Sequence, residues 1–149
     1  MLALKVSEAR VGRVFIVKFE HGEDLLDGLK KLAKEKNIQS ASFQVFGALS
    51  EAAIVVGPEE DTVPPNPMWR TVDSACEIVG IGSILESDDG PSVHMHSSFS
   101  GKDSVQLGCV RKKSKVYLVV EAIVQELITI GVSRRYDESL GINAMEIEL

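Results

Sequence analysis

Two histidines separated by one residue are the part of this sequence best suited to chemistry. His94 and His96 lie in the segment PSVHMHSS, residues 91–98. On a β-strand, residues i and i+2 point to the same face, so the two imidazoles would lie side by side and could chelate a metal ion. The alternative is a pair of hydrogen-bonded histidines on a half-buried face, and the spacing alone does not choose between the two.

Cys109 supplies a third candidate ligand from the next expected strand. If the turn between the two strands is centred between Lys102 and Asp103, Cys109 lies directly opposite His96, with Cβ atoms about 4.5–5.5 Å apart. A slip of one residue would move Cys109 to the other face. Two imidazoles and a thiolate suit Zn²⁺, which predicts a zinc site formed by His94, His96 and Cys109. The alternative role for Cys109 is that of a small buried apolar residue.

Glu121 interrupts an apolar segment and is the next residue of chemical interest. Its place in the alternation matches that of Tyr117, Val119 and Ile123, so it would share their face of a strand. A buried carboxylate needs a partner. Glu121 is therefore a candidate hydrogen-bond acceptor behind a metal ligand, or a candidate general base. The alternative is an ion pair or a position that faces solvent.

Basic residues are concentrated in one short segment, which we expect to be a turn. The candidates for contact with nucleic acid are Arg111, Lys112, Lys113 and Lys115. The whole chain has 16 Lys and Arg against 22 Asp and Glu, a formal net charge of −6. A net negative charge does not favour binding to nucleic acid, because such a protein must neutralise many phosphates.

The elements that must position these residues are mostly strands. The chain has 149 residues and predicts one domain over residues 1–149. One amphipathic helix is expected at about 23–36, because its apolar residues recur at helical spacing. Expected strands cover residues 13–20, 41–49, 52–57, 75–85, 92–98, 105–110, 116–127 and 144–149. The fold class is therefore α+β, a mostly antiparallel β-sheet packed with one main helix.

The composition of the chain is that of an ordinary globular protein. Hydrophobic residues make up 44% and charged residues 26%, which is typical of a globular domain. The longest apolar run, residues 116–132, contains Glu121, Gln125 and Glu126, which are costly in a bilayer, so no membrane partner is expected. Two cysteines and no export signal predict a reducing compartment, and we expect a cytoplasmic protein.

Several segments, and the order in which they occur along the chain, resemble the PPC domain family ("plants and prokaryotes conserved") in its stand-alone prokaryotic form. Val93-His94-Met95-His96 resembles the family's Val-His-Leu-His strand. Phe46-Gly47-Ala48-Leu49 is similar to its Gly-Ala/Ser step after the helix. The other matching segments are residues 13–17, 22–25, 121–127 and 136–141.

The resemblance implies an α+β fold that assembles as a homotrimer. It also implies a metal site of three histidines, the third in a Gly-Gly-His segment. Here that segment reads Leu107-Gly108-Cys109, so a cysteine stands in place of the third histidine. Prokaryotic members are often labelled predicted DNA-binding proteins, because plant relatives attach the domain to AT-hooks. This sequence has no basic arm of the AT-hook type.

Three functions are compatible with the sequence. The first is a small homotrimeric module that binds a metal, a ligand or a partner, with a regulatory role. The second is a DNA-binding protein that uses the basic segment at 111–115. The third is a zinc-dependent enzyme of unknown substrate, with Glu121 as its base. The sequence favours the first, because it offers three metal ligands without a complete catalytic set.

Overall fold

The richness of the chain in Val and Ile predicts extended structure, and most of it forms strands. The computed structural model describes residues 4–148. In chain order, the elements are β1 (Arg10–Glu20), α1 (Leu25–Glu35), β2 (Ser40–Pro58), β3 (Pro67–Val72), β4 (Cys76–Ser87), β5 (Gly90–Ser100), β6 (Val105–Ile128), β7 (Val132–Asp137) and β8 (Ile142–Ile147). The expected mostly antiparallel sheet with one main helix is confirmed.

The large sheet has the strand order β1-β6-β5-β4-β2-β3, and all its pairings are antiparallel. An additional pairing between β6 and β2 closes β2, β4, β5 and β6 into a ring. The strands β7 and β8 form a separate two-stranded sheet. Side chains alternate between a buried inner face and an outer face, and His94 and His96 lie on the outer face of β5.

The helix begins and ends where its sequence predicts. The Asp24 side chain accepts a hydrogen bond from the Asp27 backbone N–H at 3.0 Å and caps the N-terminus. Asn37 has a φ of 53° and ends the helix, which spans Leu25–Glu35 within the expected 23–36. A Cβ at Gly28 would collide with the Phe19 ring, so glycine allows this close packing on β1.

Among residues 4–148, no helix has the length and apolar character needed to cross a membrane.

The helix packs against β4, β5 and β6. Its buried residues join the inward-facing side chains of the ring in one hydrophobic core. The largest fully buried apolar side chains are Leu25, Leu29, Val45, Leu49, Ile54, Ile78, Ile84, Met95, Val116, Val120 and Val124. Met95 lies between the two histidines in sequence and anchors β5 from inside, which leaves both imidazoles outside.

The expected turn at residues 111–115 is wrong. This segment lies inside β6, which runs unbroken from Val105 to Ile128. Likewise, the two strands expected at 41–49 and 52–57 are one strand, β2. The two long strands pair along their length with several register shifts, and Lys113 has a φ of 61°. Such bulges bend a strand without ending it, so the basic segment follows the sheet.

Two strands were not expected from the sequence. Pro67–Val72 forms β3 on the edge of β2, and Val132–Asp137 forms β7. The last expected strand, 144–149, is β8 and spans Ile142–Ile147, while Leu149 lies outside the described residues.

Candidate metal centre

The two histidines of β5 face each other on the outer face of the sheet. Their Nε2 atoms are 3.1 Å apart and share a hydrogen bond. The ring centroids are 4.9 Å apart with an interplanar angle of 80°. His94 and His96 therefore present two nitrogens toward one point, as the i, i+2 spacing on a strand predicts.

The strand register brings Cys109 to the same place. Cys109 pairs with His96 across β5 and β6, so the predicted register is confirmed. Cys109 also pairs with Val55 of β2. The preceding residue, Gly108, makes this double pairing possible, because a Cβ there would lie 2.8 Å from the Val55 carbonyl oxygen. Cys109 is buried while both imidazoles are exposed, so the thiol lies at the base of the group.

The three side chains fit a zinc ion. Zinc holds imidazole nitrogen at about 2.0–2.1 Å and thiolate sulfur at about 2.3 Å, so tetrahedral ligand atoms lie about 3.3–3.6 Å from one another. The donor atoms of His94, His96 and Cys109 all lie within 4.8 Å of one another. The two nitrogens are already at about the chelating distance, and the sulfur needs a shift of about 1 Å. Three protein ligands would leave one coordination position open.

Electrostatics around the group favour the metal-binding form of His94 but not that of Cys109. Partial burial lowers the pKa of His94, and the charges of Arg134, His96 and Arg111 lower it further. The neutral imidazole is the form that coordinates a metal. Burial raises the pKa of the Cys109 thiol, while Arg111 and Arg134 act in the opposite direction and favour the thiolate. The two guanidinium groups thus form part of the surroundings of the three candidate ligands.

Arg134 is a functional candidate that sequence reasoning missed. It lies on β7, is 8% exposed, and donates from Nη2 to Ser83 Oγ at 2.9 Å. Its Nε is buried without a hydrogen-bond partner. Burial lowers the pKa of Arg134. The sequence contains no signal for this placement, because only the tertiary fold brings β7 against β4.

Two clefts meet at His94. One has a volume of about 550 Å³ and lies on the outer face of the sheet, where His94, His96, Ile81 and Ile123 contribute to its walls. The other has a volume of about 490 Å³, and its lining includes His94, Cys109, Arg111 and Arg134. The candidate ligands are therefore reachable from two sides.

Glu121 is not brought to this group. It pairs with Lys18 of β1 and with Phe46 of β2. The strand pairings lead from His96 across β4 and then β2 to Ile123 of β6. Ile123 is therefore the outer-face residue of β6 at the same height in the sheet as His96. At this level β6 no longer pairs with β5, so three inter-strand spacings of about 4.8 Å separate Ile123 from His96 along the sheet. A role for Glu121 behind a metal ligand, or as a base at the metal, finds no support in this placement.

The basic residues of β6 are spread over different surroundings. Lys115 forms an ion pair with Glu51 at 3.5 Å. The Lys112 Nζ lies over the Trp69 ring, 5.4 Å from its centroid. Arg111 lines the cleft beside Cys109. Lys113, at the bulge, is exposed. The four candidates for nucleic-acid contact therefore do not form one free basic loop.

Comparison with known families gives a match over most of the chain. The family model described as the Plants and Prokaryotes Conserved (PCC) domain matches residues 6–128. No curated protein matches the sequence significantly.

Solved structures share the fold. A metal-containing protein from Archaeoglobus fulgidus is 25% identical, with a TM-score of 0.83 over 95% of this chain and 98% of its own. A plant- and prokaryote-conserved (PPC) protein from Pyrococcus horikoshii is 24% identical, with a TM-score of 0.82 over 98% of this chain and 100% of its own. A candidate DNA-binding protein from Bacteroides thetaiotaomicron is 23% identical, with a TM-score of 0.77 over 97% of this chain and 100% of its own.

Proposed function

The chain belongs to the Plants and Prokaryotes Conserved domain family, and we propose that it is a homotrimeric zinc-binding module that recognises a ligand or partner. The observation that carries this proposal is the convergence of three donor atoms, from His94, His96 and Cys109, within 4.8 Å of one another. The similar fold of a metal-containing protein from Archaeoglobus fulgidus supports it. The cysteine keeps a zinc-compatible donor where the resemblance implies a histidine.

The test is the zinc content of protein purified without an affinity tag or chelator. We expect about one zinc ion per chain in the wild type. His96→Ala and Cys109→Ser should each lose most of it, because each removes one of three ligands. Bound zinc is measured by mass spectrometry of the metal after gel filtration.

A matched control distinguishes the site from general thiol chemistry. Cys76 is the second free, buried cysteine, and its Sγ contacts the Leu49 carbonyl oxygen at 3.6 Å rather than the histidines. Cys76→Ser should keep the zinc. Wild-type protein that holds no zinc after incubation with the ion, or a Cys109→Ser variant that holds as much as wild type, would overturn the proposal.

The homotrimer is supported by an apolar patch on the outer face of the sheet. Phe46 pairs with Val79, Val79 pairs with Ser98, and Ser98 pairs with Leu107, so these side chains follow one another across four strands. Phe46, Val79, Ile81 and Leu107 are each more than half exposed. Apart from Ser98 the row is apolar, and monomeric soluble proteins rarely leave a large apolar patch in water. We assign it to contact with other copies of this chain.

DNA binding is the weaker candidate. It is favoured by the fold shared with candidate DNA-binding proteins from Bacteroides thetaiotaomicron and Ralstonia eutropha. The net charge of −6 and the ion pair of Lys115 with Glu51 oppose it. If DNA is the partner, an Arg111/Lys112/Lys113→Ala variant should lose binding to duplex DNA at moderate salt. Equal binding by this variant would exclude the β6 segment as the contact.

A further inference from the structure

The second cleft beside the metal ligands has the size and shape of a small-molecule site. Its volume is about 490 Å³, within the range of about 300–1,000 Å³ that such sites occupy. It lies between β3, β5, β6 and the β7–β8 hairpin, and His94 and Cys109 contribute to its lining. A molecule in this cleft would therefore touch the metal position.

The charge of the cleft is opposite to that of the protein. None of its lining residues is acidic, although the chain carries 22 Asp and Glu. Two arginines, Arg111 and Arg134, line it. Within the described part of the chain, no carboxylate forms an ion pair with either guanidinium. The cleft is thus a local positive site on an acidic protein.

Arg134 carries the strongest sign of a missing partner. Its side chain is more than nine-tenths buried, Ser83 Oγ is its one side-chain partner among the residues described, and its Nε has none. A buried guanidinium is stable only when its N–H groups and its charge are satisfied. A bound anion would supply both, because carboxylates accept two parallel hydrogen bonds from arginine.

The remaining walls are apolar and aromatic. Trp69 and Tyr136 lie on opposite elements, β3 and β7, and both line the cleft. Pro65 and Pro67 continue the wall beside Trp69. Such surfaces bind the apolar body of a ligand, while the arginines fix its charged end.

We propose that this cleft binds a small organic carboxylate, whose charged group is held by Arg134 and Arg111 and whose apolar body lies against Trp69 and Tyr136. The inference deepens the proposed function, and it rests on that function for one contact, the zinc ion at His94 and Cys109. The other contact, between the carboxylate of the ligand and the two arginines, requires only side chains of the protein and does not depend on zinc.

The single tryptophan of the chain makes the test direct. Trp69 lines the cleft, and the sequence contains no other tryptophan. Zinc-loaded protein is titrated with phenylacetate, with the neutral isostere phenylacetamide, and with inorganic phosphate, while Trp69 fluorescence is recorded. We expect a saturable change with phenylacetate and binding at least about 10-fold weaker for the amide, because only the carboxylate pairs with arginine.

Substitutions of the arginines test which side chain holds the carboxylate. Arg134→Gln should weaken phenylacetate binding by about 30-fold, because it removes the buried partner of the carboxylate. Arg135→Gln is the matched control, since Arg135 lies next in sequence and is 3.7 Å from Asp88; it should bind as wild type does. Arg111→Gln, at an exposed position, gives a second test if Arg134→Gln does not fold.

The outcomes separate this inference from the proposed function, because zinc content is measured on the same samples. Zinc-loaded protein that binds phenylacetate and phenylacetamide equally, or binds neither, overturns the inference and leaves the metal site intact. Phosphate binding as tight as that of phenylacetate overturns the assignment of an organic ligand. Phenylacetate binding that depends on Arg134 in a protein unable to hold zinc supports the arginine anchor and overturns the metal proposal.

Discussion

Cys109 lies opposite His96 at the last pair of the β5–β6 ladder, and it pairs at the same time with Val55 of β2. The ladder runs from Ser100–Val105 to this pair, and β6 then continues along β2. The candidate metal centre therefore lies at the fork where β6 passes from one neighbouring strand to the other. His94, beyond the end of the ladder, has no β6 residue opposite it and borders the open cleft.

Gly108 is expected to be essential to this fork. A Cβ at Gly108 would lie 2.8 Å from the Val55 carbonyl oxygen, so Gly108→Ala should push β6 away from β2. We expect the free energy of unfolding to fall by about 1–3 kcal/mol and zinc binding to weaken, because Cys109 moves with the strand. Urea denaturation and zinc titration measure the two effects.

Gly101→Ala is the control for that substitution. The nearest atom to a Cβ at Gly101 is the Ser104 carbonyl oxygen at 3.6 Å, an ordinary contact. This variant should keep wild-type stability and zinc binding. A Gly108→Ala variant that behaves like Gly101→Ala would show that the close approach at Val55 does not hold Cys109 in place.

The ion pair of Arg13 and Glu126 should make stability depend on pH. Arg13 donates from Nε and Nη2 to the carboxylate at 2.8 and 2.7 Å, and its backbone N–H donates at 3.1 Å. The Arg13 side chain, then its backbone N–H, lowers the pKa of Glu126 from 4.5 to about 2. Because the folded-state pKa is depressed, the stabilisation is present above about pH 4.5 and is lost as the pH falls toward about 2.

Glu126→Gln tests this dependence. The difference in unfolding free energy between wild type and Glu126→Gln should be largest near neutral pH and should shrink as the pH falls through this window. Urea denaturation at several pH values measures it. Glu20→Gln is the control, because the Lys18–Glu20 pair is exposed and screened by solvent, so its loss should change stability little at any pH. A difference for Glu126→Gln that stays constant with pH would contradict the assignment.

Ser114 is expected to connect the helix to the sheet. Its Oγ accepts a hydrogen bond from the Leu26 N–H at 2.9 Å and donates one to Asp24 Oδ1 at 3.0 Å. Ser114 is fully buried, so Ser114→Ala leaves the Leu26 N–H without this partner, removes one of the two hydrogen bonds to Asp24 Oδ1, and should lower the free energy of unfolding by about 1–3 kcal/mol. Thermal and urea unfolding measure the change. Ser104→Ala, at an exposed position, should have little effect, and equal stability of the two variants would refute the prediction.

The grouping of His94, His96 and Cys109 could be predicted from sequence because the relevant geometry is local. The i, i+2 spacing fixes the face of His94 and His96, and a tight turn fixes which β6 residue lies opposite His96. The β-branched segments identify most strands for the same reason. Fold class and register therefore follow from residues that are close together in the chain.

Long-range pairing decides the features that the sequence analysis missed. The basic run at 111–115 has the composition of a turn, yet pairing with β2 extends it into a strand bent at Lys113. Arg134 lies in a polar segment without clear alternation, and only the contact of β7 with β4 buries it against Ser83. Glu121 shares an expected face with apolar residues, but its part of β6 pairs with β1 and β2 and not with β5, which separates it from His96.

The apolar patch on the outer face predicts association between copies of the chain, and the proposed assembly is a trimer. Wild-type protein should have a mass of about 49 kDa by light scattering, three copies of the 16.2 kDa chain. Val79 is 68% exposed at the centre of the patch, and Val79→Lys should shift the mass to that of one chain, because a desolvated lysine without a partner opposes association.

Ile130→Lys separates loss of the patch from a general effect of adding charge. Ile130 is 91% exposed and lies in the segment after β6, away from the patch. This variant should keep the mass of the wild type. A wild-type mass of one chain, or an unchanged trimer in Val79→Lys, would exclude this face as the contact between copies. Zinc content measured on the Val79→Lys monomer then shows whether one chain holds the ion alone, as the grouping of all three ligands on β5 and β6 of a single chain predicts.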